Sequence, residues 1–508
     1  MQSGVVVPTS VSQVSGGYTH QTSFDSSPNI YSYLKLLLLL AIVGSVIRAY
    51  ESRESSRLYG GRVKRQQEQN DLSLSETLIE GFMTFATRIC MKVSGFVVAN
   101  TRSVLCINMF SRRIIIADPS MERALDRHVD DTSLADNLVI VGRRMFNLSQ
   151  GTVDILSDYN SRPNHRRDFS GFENSRVLLD AASKCAQHRL DSQPDVQEAQ
   201  LGIWLFKLTS AAMTTALWGP RNPWVLCEDF TNRFISFTYG LPTLLRPFPH
   251  ITAPRAVEAR RDVLAYLRSF HFLDRENRVQ QLAHRLNIVA MADPSWESNP
   301  DYFHVELLTA QGLIVTPSAM VTWLVRHLLA SRDVLQRAAA EVRGGIDAAD
   351  LRDGKLDADH VRKTCPTLVA SLHETLRLHM TAIPRVAKKD FDLPTPDSQV
   401  LQVRKGDMIN LPMSSFNKNP ATWGPDFASF NPDRFIAKDG SVSASVVRKL
   451  RTFGVASNMC PGRKFGFDAV LFVVATLLRN FDLEPVDGEG RRPGVPCAAG
   501  FGGAWHWV

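Results

Sequence analysis

Near its C-terminal end the chain reads Phe453-Gly454-Val455-Ala456-Ser457-Asn458-Met459-Cys460-Pro461-Gly462-Arg463 and then enters an apolar stretch of helical type, FGFDAVLFVVATLLRNF. A cysteine in this setting can serve as a thiolate ligand to a metal. Small residues around it let backbone N–H groups turn toward the sulfur, and the N-terminus of the helix that follows favours its negative charge. Cys460 and Gly462 stand where that chemistry needs them, with Phe453 and Gly454 opening the loop. For a lone C-x-G the rival reading is a buried structural cysteine.

Further candidate features lie upstream of the cysteine. Glu374-Thr375-Leu376-Arg377 lies in a helical pattern, where i,i+3 spacing puts both charges on one face and lets them pair. Alone the pair says little, because E-x-x-R also begins at Glu54, Glu173, Glu258 and Glu489. Order along the chain says more: Phe430-Asn431-Pro432-Asp433-Arg434-Phe435 falls between Glu374 and Cys460, and Ile383-Pro384-Arg385-Val386-Ala387-Lys388-Lys389-Asp390 falls just after the pair.

The elements that must carry these residues are mainly helical. Helical spacing is visible at 72–93, 177–188, 198–217, 257–272, 304–342 and 365–378. Segments rich in strand formers lie at 96–116, where a hairpin is expected, and at 400–403 and 408–411. Asp118-Pro119 predicts the start of a short helix, with Asp as N-cap and Pro at the first helical position. No internal repeat is visible, so a mainly α fold with minor β-sheet in one large domain is expected. A chain of 508 residues, 44% hydrophobic and 21% charged, with 30 Gly and 26 Pro, excludes disordered, collagenous and coiled-coil classes. Its net charge of +7 is too small at this length to point to nucleic acid. The seven cysteines are scattered with no C-x-x-C pair, which argues against a disulfide framework or a zinc cage.

Residues 1–30 carry no Lys or Arg and read as a non-cytosolic tail. Residues 31–48 then contain YSYLKLLLLLAIVGSVI, the one membrane candidate in the sequence. Its purely apolar part, 36–47, is short of the ~20 residues that cross a bilayer. Tyr31, Tyr33 and a snorkelling Lys35 would extend it, and an interfacial helix is the alternative. Arg48, Arg53, Arg57, Arg62, Lys64 and Arg65 follow in a linker, 49–73, so the positive-inside rule places the domain at 74–508 in the cytosol. The sequon at Asn147 is then expected to be unused.

Taken together, the cysteine loop, the E-x-x-R pair and the arginine between them resemble the cytochrome P-450 family, most closely over 365–470 and only weakly before 175. Within it, Ser457, Asn458, the CPGR sequence and Pro317 in the long central helix look closer to the branch of the sterol 7α-hydroxylases and prostacyclin synthases with its fungal relatives. The resemblance implies the cytochrome P-450 fold behind a membrane anchor and haem b with Cys460 as axial ligand. It implies contacts to the haem from Phe453, Gly454 and Gly462, and Arg385 on a propionate. It also implies a structural triad of Glu374, Arg377 and Arg434. A membrane-bound monooxygenase of the endoplasmic reticulum follows, single-pass, with electrons from NADPH through NADPH-cytochrome P-450 reductase and cytochrome b5 as a possible second donor. Arg448, Lys449, Arg451, Arg463 and Lys464, in a stretch without acids at 440–467, would offer a basic face to such a reductase; the alternative is a solvated face. The substrate implied is apolar, of terpenoid, steroid or lipid-like size, as in secondary metabolite biosynthesis, with chamber-lining loops expected around 140–175 and 225–255.

Departures from the family pattern are as informative. Oxygen-activating members usually carry an acid and an alcohol on the long helix to deliver protons. Here Ala310-Gln311-Gly312-Leu313-Ile314-Val315-Thr316-Pro317-Ser318 puts Leu313, Ile314 or Val315 at those positions. Pro317 withholds an N–H from the carbonyl of Leu313, so that carbonyl, the Thr316 hydroxyl and Gln311 are candidates to hold a relay water in a kinked groove. The alternative is a packed helix with Thr316 bonded back to the preceding turn. No tryptophan precedes Trp204, so the usual W-x-x-x-R propionate helix is absent, with His165, Arg166 and Arg167 as possible replacements. Asn458 replaces a frequent Arg or His, and no proline lies between Pro28 and Pro119 to form a hinge. Beside the monooxygenase stand two alternatives: a haem-thiolate isomerase, dehydratase or ring-forming catalyst that needs no reductase, and a non-catalytic membrane-attached binding module.

Overall fold

The structure, a computed structural model, describes residues 105–109, 112–117, 119–161, 172–192, 201–246, 248–269, 298–380, 384–396, 398, 400–410, 413–454, 460 and 462–484. The tail, anchor and linker at 1–73, the helical pattern at 72–93 and the first half of the expected hairpin lie outside them. So do Asp118, the 165–167 cluster and 455–459.

Helices dominate, with two small sheets. Helices of six or more residues are numbered here in chain order: α1 Glu122–Arg127, α2 Leu134–Phe146, α3 Gln150–Ser161, α4 Phe172–Asp191, α5 Leu201–Trp218, α6 Glu228–Gly240 and α7 Pro254–Ser269. There follow α8 Tyr302–Ala330, α9 Arg332–Gly345, α10 Ala348–Asp353, α11 Ala358–Thr364, α12 Pro366–His379 and α13 Arg463–Asn480. The periodicity at 304–342 suggests one helix, but the structure divides it into α8 and α9 at Ser331, whose non-helical backbone (φ −125°, ψ 83°) turns the chain. Pro119 opens a 3₁₀ turn, Pro119–Met121, that leads into α1.

Helices α4, α5, α8 and α13 pack on one another and form the centre of the core. Residues 208–214 of α5 and 468–478 of α13 are buried without a break, as in a helix segment with no solvent face. Leu205, Leu324, Leu471 and Val474 are among the side chains sealed there. Helix α8 is also the one described helix long and apolar enough to cross a membrane, and its place in this bundle explains why it is so apolar. Helix α12 starts at Pro366, which supplies a preset φ and lacks only an N–H the first turn does not use, and it lies against α8 and α9.

The larger sheet has the order β1-β2-β7-β4-β3, from β1 Leu105–Met109, β2 Arg112–Ile116, β3 Thr132–Ser133, β4 Arg385–Ala387 and β7 Met408–Asn410. Only the β2–β7 pair is parallel, with Ile115 opposite Ile409. A separate hairpin joins β5 Phe391–Pro394 to β6 Val400–Val403. Strand β4 begins at Arg385, which pairs with Ile409 of the central strand β7, while β3 pairs only with the next two residues, Val386 and Ala387.

Candidate active site

Cys460 is placed by its own backbone and by the helix behind it. Its N–H donates to the carbonyl of Phe453 at 2.7 Å, which closes the loop, and Gly454 next to that carbonyl has φ +82°. Only glycine takes that conformation without cost. On the other side the N–H of Gly462 donates to the Cys460 sulfur, while Arg463 Nη1 donates to the Cys460 carbonyl at 3.1 Å and opens α13. Burial pushes the Cys460 thiol above its usual range, and the Gly462 N–H and the Arg463 charge pull it back. A Cβ built on Gly462 meets no atom within 4 Å, so the chain beside the sulfur faces open space.

Glu374, Arg377 and Arg434 form one cluster. Arg377 Nε donates to Glu374 Oε2 at 2.6 Å and its Nη2 to Oε1 at 2.8 Å, with both side chains fully buried. Arg434 Nε reaches the same Oε1 at 3.1 Å and its Nη2 donates to Asp426 Oδ2 at 2.9 Å. The backbone N–H of Asn431 adds a further donor to Glu374 at 2.9 Å. One buried carboxylate thus holds an arginine of its own helix and an arginine of the Pro432–Phe435 turn, which fixes that turn against α12.

The cluster continues to the cysteine loop through residues that spacing could not reveal. Arg377 Nη1 donates to the carbonyl of Asn417 at 2.7 Å, and Asn417 is itself fully buried. Its side-chain amide grips the backbone of Arg451 from both sides, accepting from Arg451 N at 3.0 Å and donating to Arg451 O at 2.8 Å. Two residues later comes Phe453, whose carbonyl holds Cys460. The replacement Asn417→Ala is expected to cost about 1–3 kcal/mol by leaving both Arg451 backbone groups unpaired. A lower thermal midpoint together with weaker cofactor retention would show this, and an unchanged protein would remove Asn417 from the support of the loop.

Arg385 is buried, at 8% exposure, and its Nη1 has no hydrogen-bond partner among the described residues. Asp126 Oδ1 lies 4.0 Å from it and is likewise buried and unpartnered. Burial pushes the guanidinium below its usual range, against the pull of Asp126 and Glu122. A donor of this kind suits the carboxylate of an acidic cofactor.

On α8, Gly312 is exposed and Thr309, Leu313 and Thr316 are half-buried, while Ile314 is fully buried. These four positions follow i, i+3, i+4, i+7 spacing and make one accessible stripe along a helix otherwise packed in the core. Thr309 bonds back to Val305 O at 2.9 Å and Thr322 to Ser318 O at 2.8 Å, whereas the Thr316 hydroxyl has no partner among the described residues. Gln311 is separated from Thr316: its Oε1 accepts from Thr238 of α6 at 3.4 Å. The helix continues through Pro317 without interruption. Ser318, absent from the sequence expectations, is fully buried with an unpaired hydroxyl on the core side.

The five basic residues around the loop do not form one free face. Arg448 and Lys449 are exposed, but Arg451 Nε donates to Glu122 at 2.6 Å and Arg463 is turned to the Cys460 carbonyl. The described parts of 140–175 and 225–255 are largely helical, in α2, α3, α4, α6 and α7 and in the turn Pro249–Thr252, where loops were expected.

The family model of the cytochromes P450 matches residues 240–496. That match takes in the long helix, the Glu374 cluster, Arg385 and the cysteine loop, and the chain belongs to the cytochrome P450 family. It is similar to a cytochrome P450 monooxygenase of Gibberella zeae, 26% identical over 298 residues that make up 56% of each chain. The cytochrome P450 monooxygenase nodJ of Hypoxylon pulicicidum is 26% identical over 326 residues, 58% of this chain and 60% of its own. Cholesterol 7-alpha-monooxygenase of Cricetulus griseus is 24% identical over 287 residues, 54% of this chain and 56% of its own. The chain thus spans between a half and two thirds of the length of these relatives.

The family implies haem with a thiolate ligand, and the residues present fit it. A half-buried cysteine with an N–H on its sulfur, open space at Gly462 and an orphaned buried guanidinium at Arg385 are the contacts that an iron porphyrin with carboxylate arms would satisfy.

Proposed function

We propose that this chain is a haem-thiolate monooxygenase that oxidises a hydrophobic terpenoid-, steroid- or lipid-like molecule with electrons from NADPH delivered by a reductase. The observation that carries the reading is the Cys460 loop, tied through Phe453, Arg451 and Asn417 to the buried Glu374–Arg377 pair. Similarity to a cholesterol 7-alpha-monooxygenase supports a sterol-like substrate class, and similarity to fungal monooxygenases supports monooxygenation. An anchor at 31–48 and attachment to the endoplasmic reticulum with the domain in the cytosol belong to the same proposal, as does cytochrome b5 as a second electron donor.

A haem held by a cysteine thiolate supplies dioxygen activation, because the thiolate pushes electron density that favours O–O cleavage. The chain's own residues then have separate tasks. Cys460 Sγ would hold the haem iron, with its loop kept in place by the Phe453 carbonyl and the Gly462 N–H. Arg385 binds a carboxylate of the cofactor. The Thr309–Gly312–Leu313–Thr316 stripe lines the chamber where substrate lies, and its apolar members exclude bulk water. Thr316 Oγ1, with no partner among the described residues, holds a water beside the Leu313 carbonyl that Pro317 cannot serve, and passes a proton from it.

This assignment predicts that Thr316→Val lowers product formation by about a hundredfold, the low end for loss of a proton-transfer group, and diverts electrons to peroxide. The ratio of product to NADPH consumed measures it, and unchanged coupling removes Thr316 from the relay. The absence of an acid at 313–315 favours one second reading, a rearranging haem-thiolate catalyst. Turnover that continues unchanged without reductase and NADPH would establish that reading in place of the monooxygenase.

A further inference from the structure

We propose that helix α1 is an acidic clasp on the two arginines that flank the haem cradle, and that Asp126 is the positioning residue that aims Arg385 at a carboxylate of the cofactor. The inference rests on the haem-thiolate reading of Cys460.

Glu122 and Asp126 stand at i,i+4 on α1 and so share one face of that helix. Each meets an arginine from a distant part of the chain. Glu122 takes Arg451 in a two-pronged grip, Oε1 to Nε at 2.6 Å and Oε2 to Nη2 at 3.4 Å. The backbone of Arg451 is already fixed by Asn417, so this arginine is held at both ends. Asp126 treats Arg385 differently. Its Oδ1 stops 4.0 Å from Nη1, near enough for charge attraction and too far for a hydrogen bond. The acid therefore orients the guanidinium without occupying its donor.

Two buried polar atoms left unpaired so close together are costly. A carboxylate arriving at Arg385 Nη1 satisfies the donor, and Asp126, 4.0 Å away, holds the guanidinium by charge attraction. The arrangement matters more here than in a chain with several propionate ligands, because the tryptophan-bearing helix motif is missing and Asn458 carries no charge.

The test is the rate at which haem leaves the purified full-length protein for an excess of apomyoglobin, measured for wild type, Asp126→Asn, Arg385→Ala and the double variant. Asp126→Asn is expected to release haem about tenfold faster, as losses of ligand-orienting partners generally do. The double variant is expected to be no faster than Arg385→Ala alone, and Asp126→Glu should restore part of the retention. Release at the wild-type rate or slower in Asp126→Asn, or additive effects in the double variant, would overturn the assignment. A wild-type chain that takes up no haem would sink the underlying reading as well, and that outcome is told apart by the absence of any haem spectrum before transfer begins.

Discussion

Replacing Glu374 by alanine is expected to remove about 3–5 kcal/mol of stability, the range for breaking a buried pair by deleting one partner. The carboxylate receives Arg377 through two bonds, Arg434 through one and the Asn431 N–H through another, and it is fully buried. Its loss leaves Arg377 charged in a dry site with only the carbonyls of Asn417, Phe427 and Ser429. Because Asn417 leads on to Arg451 and the cysteine loop, the damage should reach cofactor retention as well as folding. Chemical denaturation of the variant measures the first effect and haem content per folded protein the second. A variant that unfolds at the wild-type denaturant concentration would show that the cluster contributes little.

The second large effect is at Cys460. Cys460→Ala removes the Gly462 N–H contact to sulfur but leaves the other two supporting bonds in place, since the link to Phe453 and the link from Arg463 both use backbone atoms of residue 460. The fold should therefore persist, with an unchanged far-ultraviolet circular dichroism spectrum, while the low-spin thiolate signal in electron paramagnetic resonance disappears. Persistence of that signal would move the axial ligand to another residue; among the described cysteines Cys185, Cys227 and Cys365 are also free thiols.

How much of this was legible in the sequence depended on the distance between partners. Glu374 and Arg377 sit one turn apart, so a helical period alone predicts that they can meet. The α8 stripe likewise follows from the 3.6-residue period once the helix is known to be buried. Arg434 needed chain order as well. By contrast, Asn417, Glu122 and Asp126 carry no local mark. Glu122 reads as an ordinary acid in the first turn of a short helix, and its partner Arg451 is 329 residues away. The same distance explains why Arg451, within the basic stretch at 440–467, looked like part of a free charged face: its counter-charge, Glu122, comes from α1. Gln311 was grouped with Thr316 by closeness in sequence, but on a helix five positions apart they point to different sides, and Gln311 meets Thr238 instead.

The central claim is that Cys460 presents a thiolate to haem iron. The measurement that tests it most directly is the carbon monoxide difference spectrum of dithionite-reduced membranes containing the wild-type chain, recorded beside Cys460→Ala. A thiolate-type Soret band in the wild type and none in the variant is the predicted result. No such band from well-expressed, folded wild-type protein would contradict the account and leave a scaffold without its chemistry.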